Sequence, residues 1–275
     1  MPELPEVETI RRTLEKLVLN KEIEDVTIYW PKIVKQPDDP EHFRMLLSGE
    51  SIERIGRRGK FLLFYLNHYV LISHLRMEGK YRVVPKSKEK DKHTHVIFHF
   101  TDGTELRYND VRKFGTMHVY KIGEEMTKAP LKSVGPDPFE EAYTFDYVKE
   151  RLKRTTRMIK AALLDQTIIS GLGNIYVDEV LFLSKIHPEK RAHLLSEDEV
   201  KRIYENVRIV LEEAVRLGGT TIRSYLNGLG EMGMFQQRLY AYGQTGKPCQ
   251  HCQTEIVKIK VAGRGTHICP TCQTL

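Results

Sequence analysis

The chain has 275 residues, 40% of them hydrophobic and 29% charged, a balance that supports one large core or two to three smaller ones and excludes a disordered chain. No apolar run approaches the roughly 20 residues of a membrane span. The start at Met1–Glu6 lacks the basic and apolar regions of a secretion signal, so a cytoplasmic protein is expected. The formal charge of +6, with a pI of about 9.0, fits an anionic partner such as nucleic acid but is shared by many soluble enzymes.

From Pro2 to about Leu17 the apolar residues Leu4, Val7, Ile10, Leu14 and Leu17 recur at helical spacing, with Glu6, Arg11, Arg12 and Glu15 elsewhere on the wheel. This stripe would pin a normally frayed terminus against the body of the protein. From about Ile23 to Lys121 the texture becomes that of strands: Phe61–Leu66, Val70–Leu75, Val96–Phe100 and Met117–Tyr120 are β-branched and aromatic. Asp102-Gly103 signals a hairpin between Val96–Phe100 and Glu105–Tyr108. Many short strands with frequent turns predict a two-sheet sandwich or a barrel.

Residues 123–138, with three prolines and two glycines, read as a linker. Apolar residues at 145, 148, 152, 159 and 163 then predict one helix over Phe145–Leu164. A turn, Ser170 to Asn174, separates it from a helix over about Ile175–Ser184. Ser196 with Glu199 forms a capping box for a third helix, which Gly218-Gly219 stops near Leu217. Residues 220–237 carry three glycines and read as a loop.

All four cysteines follow, as Cys249-x2-Cys252 and Cys269-x2-Cys272 separated by 16 residues. Two such knuckles on a hairpin present four sulfurs to one ion, and disulfides are disfavoured in a cytoplasmic chain. A single zinc held by four thiolates has no open position, so it is structural. Between the knuckles, Lys258 and Lys260 alternate with apolar residues, as in a half-buried strand with a cationic face. Gly263-Arg264-Gly265 predicts a tight turn with the arginine at its tip. Such a turn fits a phosphate clasp and an ordinary solvated hairpin equally. The Ser170–Asn174 turn lacks the lysine and strand of nucleotide-binding loops. Two roles remain for it, a phosphate site at the helix N-terminus or a plain cap by Asn174.

Several segments together resemble the formamidopyrimidine-DNA glycosylase family: Pro2 to Glu8, Arg57 to Lys60, His74 to Gly79, Asp110 to Gly115, Gly173 to Glu179, and the cysteine module with Gly263 to Thr266. They span the whole chain in that family's order. The resemblance implies an α+β multidomain protein: an N-terminal two-sheet β-sandwich with its helix (1–135), a central helix–two-turn–helix domain with a lesion-covering loop (136–235) and a C-terminal zinc finger (236–275). It implies a monomer in the bacterial cytoplasm, with the nucleoid, acting on double-stranded DNA that contains oxidised bases.

By the same resemblance, Pro2 is the nucleophile once Met1 is removed. A terminal amine has a pKa near 8, so a neutral fraction exists at physiological pH. The iminium formed from a secondary amine acts as an electron sink for strand cleavage. Glu3 is its acid/base partner, and Lys60 and Arg264 correspond to residues of the two elimination steps. Arg264, always protonated, suits phosphate binding better than proton donation. Met77, Arg112 and Phe114 correspond to residues that fill the hole left by an everted nucleotide, although the two apolar ones would by default be core. His93, Asn174 and Lys258 correspond to DNA contacts, and the loop from about Thr220 to Phe235 to the segment that covers an everted 8-oxoguanine.

Three rival readings remain. An endonuclease VIII-type enzyme for oxidised pyrimidines shares the architecture, but such enzymes tend to lack the filler set and the covering loop. A non-catalytic zinc-ribbon DNA-binding protein would form no covalent adduct. A Pro2 general base of the tautomerase kind needs no zinc ribbon.

Overall fold

The computed structural model describes residues 1–220 and 238–275. Most of the expected covering loop therefore lies outside the described residues. The chain divides into two compact units, residues 1–2 and 6–132 in one, and residues 3–5, 133–220 and 238–275 in the other.

Helix α1 (Leu4–Val18) opens the chain. Strands β1 (Ile23–Ile28) and β2 (Val34–Gln36) precede helix α2 (Pro40–Leu47). Then come β3 (Arg54–Arg58), β4 (Phe61–Tyr65), β5 (Tyr69–His74), β6 (Lys80–Pro85), β7 (Thr94–Phe100), β8 (Thr104–Asn109) and β9 (Thr116–Lys121). They form two sheets, one of four strands in the order β1-β7-β8-β6 and one of five in the order β2-β9-β5-β4-β3. Among the described residues, only β2 and β9 pair in parallel. Leu62, Phe64, Leu71 and Val119 of the larger sheet share one core with Val26, Phe98, Leu106 and Tyr108 of the smaller one. This is a sandwich, which settles the sandwich-or-barrel alternative. Val7, Ile10, Leu14 and Val18 of α1 join this core, while Arg11 pairs with Glu8 and Glu15 along the helix. The Asp102-Gly103 turn forms as expected, with Gly103 at φ +81 and the Asp102 carboxylate accepting from Thr104 N.

Helix α2 interrupts the strand texture where none was expected. Its start was written in Asp39-Pro40: the Asp39 side chain accepts from Glu41 N, and Pro40 occupies the first turn. The 123–138 linker carries a short 3-10 turn, Leu131–Ser133, anchored by buried Leu131.

In the second unit, the expected Phe145–Leu164 helix is two helices, α3 (Phe145–Lys153) and α4 (Ile159–Leu164). The apolar spacing skips from 152 to 159 across Thr155-Thr156, both β-branched and weak helix formers. There the backbone turns to bond residues 190–191 instead: Ile159 N donates to Lys190 O, and Met158 bridges Arg191. Helix α5 (Asn174–Leu183) and helix α6 (Glu197–Arg216) complete the helical core. The Ser196–Glu199 capping box is present in full. Gly218 and Gly219, both at positive φ, end α6 with a bond from Gly219 N to Ala214 O. The chain closes on a hairpin of β10 (Val257–Val261) and β11 (Arg264–Ile268).

Candidate active site and metal centre

In the first unit, three connections leave one end of the five-stranded sheet. Register pairs Arg58 with Phe61, Phe61 with His74, and His74 with Thr116. The turn holding Gly59 and Lys60, the turn after His74 and the loop before Thr116 therefore emerge side by side. Lys60 is buried, 5% exposed. His74 is packed edge-on against Phe61, and its Nδ1 accepts from Arg76 N at 2.9 Å. Burial, reinforced by the cations of Arg76 and Lys60, pushes its pKa down to about 3, so the ring is neutral at physiological pH. His74 stood in a family motif without an assigned role, and its position beside Lys60 is what singles it out.

The 110–115 loop is shaped by one buried carboxylate. Asp110 accepts from the backbone N of Arg112, Phe114 and Gly115, each at 2.9 Å. Gly115 has no room for a side chain, since a Cβ there would meet the Tyr108 hydroxyl at 1.8 Å. The result is a rigid loop that projects its side chains outward. Phe114 is 50% exposed, with the Arg112 guanidinium 4.7 Å from its ring centroid, and Met77 is 39% exposed. Neither apolar side chain is core. His93 lies at the base of this loop, where its carbonyl accepts from Asp110 N.

In the second unit, the carboxylate of Glu3 caps α5. It accepts from Gly173 N at 2.7 Å, Ile175 N at 3.0 Å and Tyr176 N at 3.4 Å, and the side chain is buried. Helix N-termini attract anions, and here the anion is this chain's own side chain. Asn174 is the first residue of the helix and makes no side-chain cap, which removes the plain-cap reading. Its Nδ2 donates to Gly265 O at 3.0 Å instead.

The hairpin tip differs from expectation. Ala262 and Gly263, both at positive φ, make the two-residue turn, and Arg264 pairs with Val261 as the first residue of β11. Arg264, Lys258 and Lys260 are exposed. Helix α5 holds this hairpin and its flanks through consecutive carboxylates. Asp178 accepts from His267, and Glu179 accepts from the backbone N of Tyr240, Ala241 and Tyr242. Burial raises the Glu179 pKa to about 7 against the pull of those three amides. Asp178 and Glu179 fall within the Gly173–Glu179 family motif. Their partners lie 60 to 90 residues away, beyond the reach of local pattern.

The four cysteine sulfurs all lie within 4.8 Å of one another. Cys249 and Cys272 are 3.9 Å apart and Cys252 and Cys269 3.4 Å, too far for disulfide bonds. A tetrahedron with Zn–S bonds near 2.3 Å has edges of about 3.8 Å. The site fits one structural zinc. Phe182 of α5 reaches into the small core behind Cys249 and Cys269 and stacks on His251.

Three family models match: the formamidopyrimidine-DNA glycosylase N-terminal domain over residues 1–117, the H2TH domain of the same enzymes over 134–225, and a zinc finger found in FPG and IleRS over 246–275. The chain belongs to the formamidopyrimidine-DNA glycosylase family. A glycosylase of this name from Oceanobacillus iheyensis is 60% identical over 273 residues, covering 99% of this chain and 98% of the relative. The Bacillus subtilis relative is 56% identical over 274 residues, 100% of this chain and 99% of its own length. Among solved structures, a Lactococcus lactis FPG variant bound to Fapy-dG-containing DNA matches with TM-score 0.94 and 44% identity, covering all of both chains. The Lactococcus lactis enzyme with abasic-site DNA matches with TM-score 0.93 and 44% identity, over 99% of this chain and all of that one. No helix among the described residues is long and apolar enough to cross a membrane.

Proposed function

We propose that this family member removes oxidised purines, 8-oxoguanine and formamidopyrimidines, from double-stranded DNA in the bacterial cytoplasm, where it works on the nucleoid as a monomer. It then cleaves the strand at the resulting abasic site by β,δ-elimination. The supporting observation is the Glu3 carboxylate, buried and oriented one residue after Pro2 by the amides of Gly173, Ile175 and Tyr176 at the start of α5. A short, solvated terminus would leave that carboxylate mobile, whereas here it is fixed with its neighbour, as acid/base work on one sugar carbon requires.

With Met1 attached, the Pro2 nitrogen is a tertiary amide and no nucleophile. Removal of Met1 makes it a secondary amine, which attacks the sugar carbon as the base departs and forms an iminium. Glu3 handles the proton on the opening sugar, and Lys60 serves the first elimination. Arg264 binds the phosphate lost in the second. His93, Asn174 and Lys258 contact DNA, and Met77, Arg112 and Phe114 fill the vacated stack. Exposure of Met77 and Phe114 supports that assignment, because solvated apolar side chains serve no core. Residues 1–135, 136–235 and 236–275 are the three functional divisions.

Zinc, when bound by Cys249, Cys252, Cys269 and Cys272, supplies folding energy to the finger and takes no part in the chemistry. Excision rates from duplexes holding 8-oxoguanine opposite cytosine and holding thymine glycol test the substrate class. Faster release of 8-oxoguanine is expected. Faster release of thymine glycol would move the chain to the pyrimidine-specific reading.

A further inference from the structure

We propose that the buried Lys160–Asp178 ion pair positions Arg264, acting as a second mount for the β10–β11 hairpin alongside the zinc. Lys160 stands on α4 and Asp178 on α5, and both side chains are 0% exposed. Their contact is 2.5 Å. A dry ion pair is a poor device for stability, since apolar residues of similar size commonly do as well or better. What this pair does hold is the segment after Arg264.

The bonds run through four consecutive residues. Lys160 Nζ donates to Thr266 Oγ1 at 2.8 Å and to Gly265 O at 3.3 Å. Thr266 Oγ1 in turn donates to Arg264 O at 3.0 Å, so a continuous path leads from Asp178 through Lys160 and Thr266 to the arginine's own carbonyl. The other Asp178 oxygen accepts from His267 N at 2.9 Å and lies 3.1 Å from the His267 ring Nδ1. Asn174 adds its bond to Gly265 O. Each residue from 264 to 267 is thereby tied to the helical core, while the Arg264 side chain stays exposed.

The zinc ligands sit at the far end of the hairpin, with Cys269 following Ile268 directly. A two-stranded hairpin fixed at one end alone is marginal, and its tip would wander. A functional side chain needs to be held to within about 0.5 Å. The zinc builds the finger, and the buried pair aims its arginine. Lys160 and Asp178 are positioning residues here. The proposal rests on the reading of Arg264 as a phosphate-facing group.

The test uses full-length, zinc-loaded protein carrying Lys160→Met with Asp178→Leu, which removes both charges together. Thr266→Val, which removes the hydroxyl between Lys160 and the Arg264 carbonyl but leaves the Lys160–Asp178 pair in place, serves as the mild second variant, and Arg264→Ala as the reference. Zinc content, amide hydrogen exchange over residues 262–268 and the ratio of β- to β,δ-elimination products on an abasic-site duplex are measured for each. The double variant is expected to keep its zinc, to exchange at 265–267 at least tenfold faster, and to shift its products toward those of Arg264→Ala. Thr266→Val should move in the same direction by a few-fold. Unchanged exchange and an unchanged product ratio, in the double variant or in Thr266→Val should the former not fold, overturn the proposal. If Arg264→Ala itself leaves the products unaltered, the role given to Arg264 fails, and the exchange rates alone decide whether the pair is a mount.

Discussion

Gly173→Ala isolates the Glu3 cap by pure sterics. Gly173 is at φ −131, which alanine adopts without strain. The added Cβ would meet Glu3 Cδ at 2.3 Å and Oε1 at 2.4 Å, roughly 1 Å inside the distance at which carbon contacts become attractive. Backing the carboxylate off by that much takes its 2.7 Å and 3.0 Å bonds to Gly173 N and Ile175 N beyond hydrogen-bonding range. Two charge-assisted bonds at about 1.5–3 kcal/mol each set an upper bound, and water that reaches the freed amides lowers it, so a loss of about 3 kcal/mol is expected. Chemical denaturation measures this directly, and single-turnover excision should fall by at least tenfold while DNA affinity holds. The decisive control is the same substitution in a Glu3→Ala background, where the clash is gone. There it should cost under about 1 kcal/mol, leaving a coupling near 2 kcal/mol. Equal costs in both backgrounds would show that the glycine serves something other than Glu3, and the reasoning fails.

His74 should make the folded state acid-sensitive. The unfolded imidazole takes its proton near pH 6.5 and the folded one only near 3, so stability is lost as pH falls through that window. The slope is about 1.4 kcal/mol per pH unit, or about 2 kcal/mol between pH 6.5 and 5. His74→Gln should flatten that part of the stability curve, and an unaltered slope would assign the sensitivity elsewhere. Phe114→Ala and Met77→Ala should each change stability by less than about 1 kcal/mol, because both side chains are solvated. Excision from duplex DNA should nonetheless drop, and a large loss of stability would return these residues to a packing role. Cys249→Ser should release zinc and weaken DNA binding, as read by metal analysis and titration; undiminished affinity in a zinc-free variant would remove the finger from the interface. Pro2→Gly should lose most base excision yet keep part of the lyase activity through its primary amine, a split visible by comparing damaged-base and abasic duplexes.

Local chemistry was legible in the chain, and long-range partnership was not. The α1 stripe, the Ser196–Glu199 capping box, the Asp102-Gly103 turn and the cysteine knuckles each state their structure within a few residues. Helix α2 is hard to read from sequence because eight residues inside a strand-rich stretch carry little periodicity, although Asp39-Pro40 announces a helix start. The break between α3 and α4 was hidden because 152 and 159 fall on the same helical face even when the turns between them are absent. Arg264 lies one residue beyond the turn because Ala262, a residue that rarely takes positive φ, does so here. The Glu3 cap, the Lys160–Asp178 pair and the Glu179 clasp join residues 18 to 173 positions apart. No spacing rule reaches that far. The family motifs pointed to several of these residues, and the structure supplies the partners that explain them.

The proposed chemistry depends on a bond between the mature chain's first nitrogen and the sugar. Borohydride added during turnover on lesion-containing duplex should lock a protein–DNA adduct, and mass mapping of the cross-linked peptide should put the bond on Pro2 in a chain that has lost Met1. An adduct on a lysine, or full activity with Met1 still attached, would contradict the account.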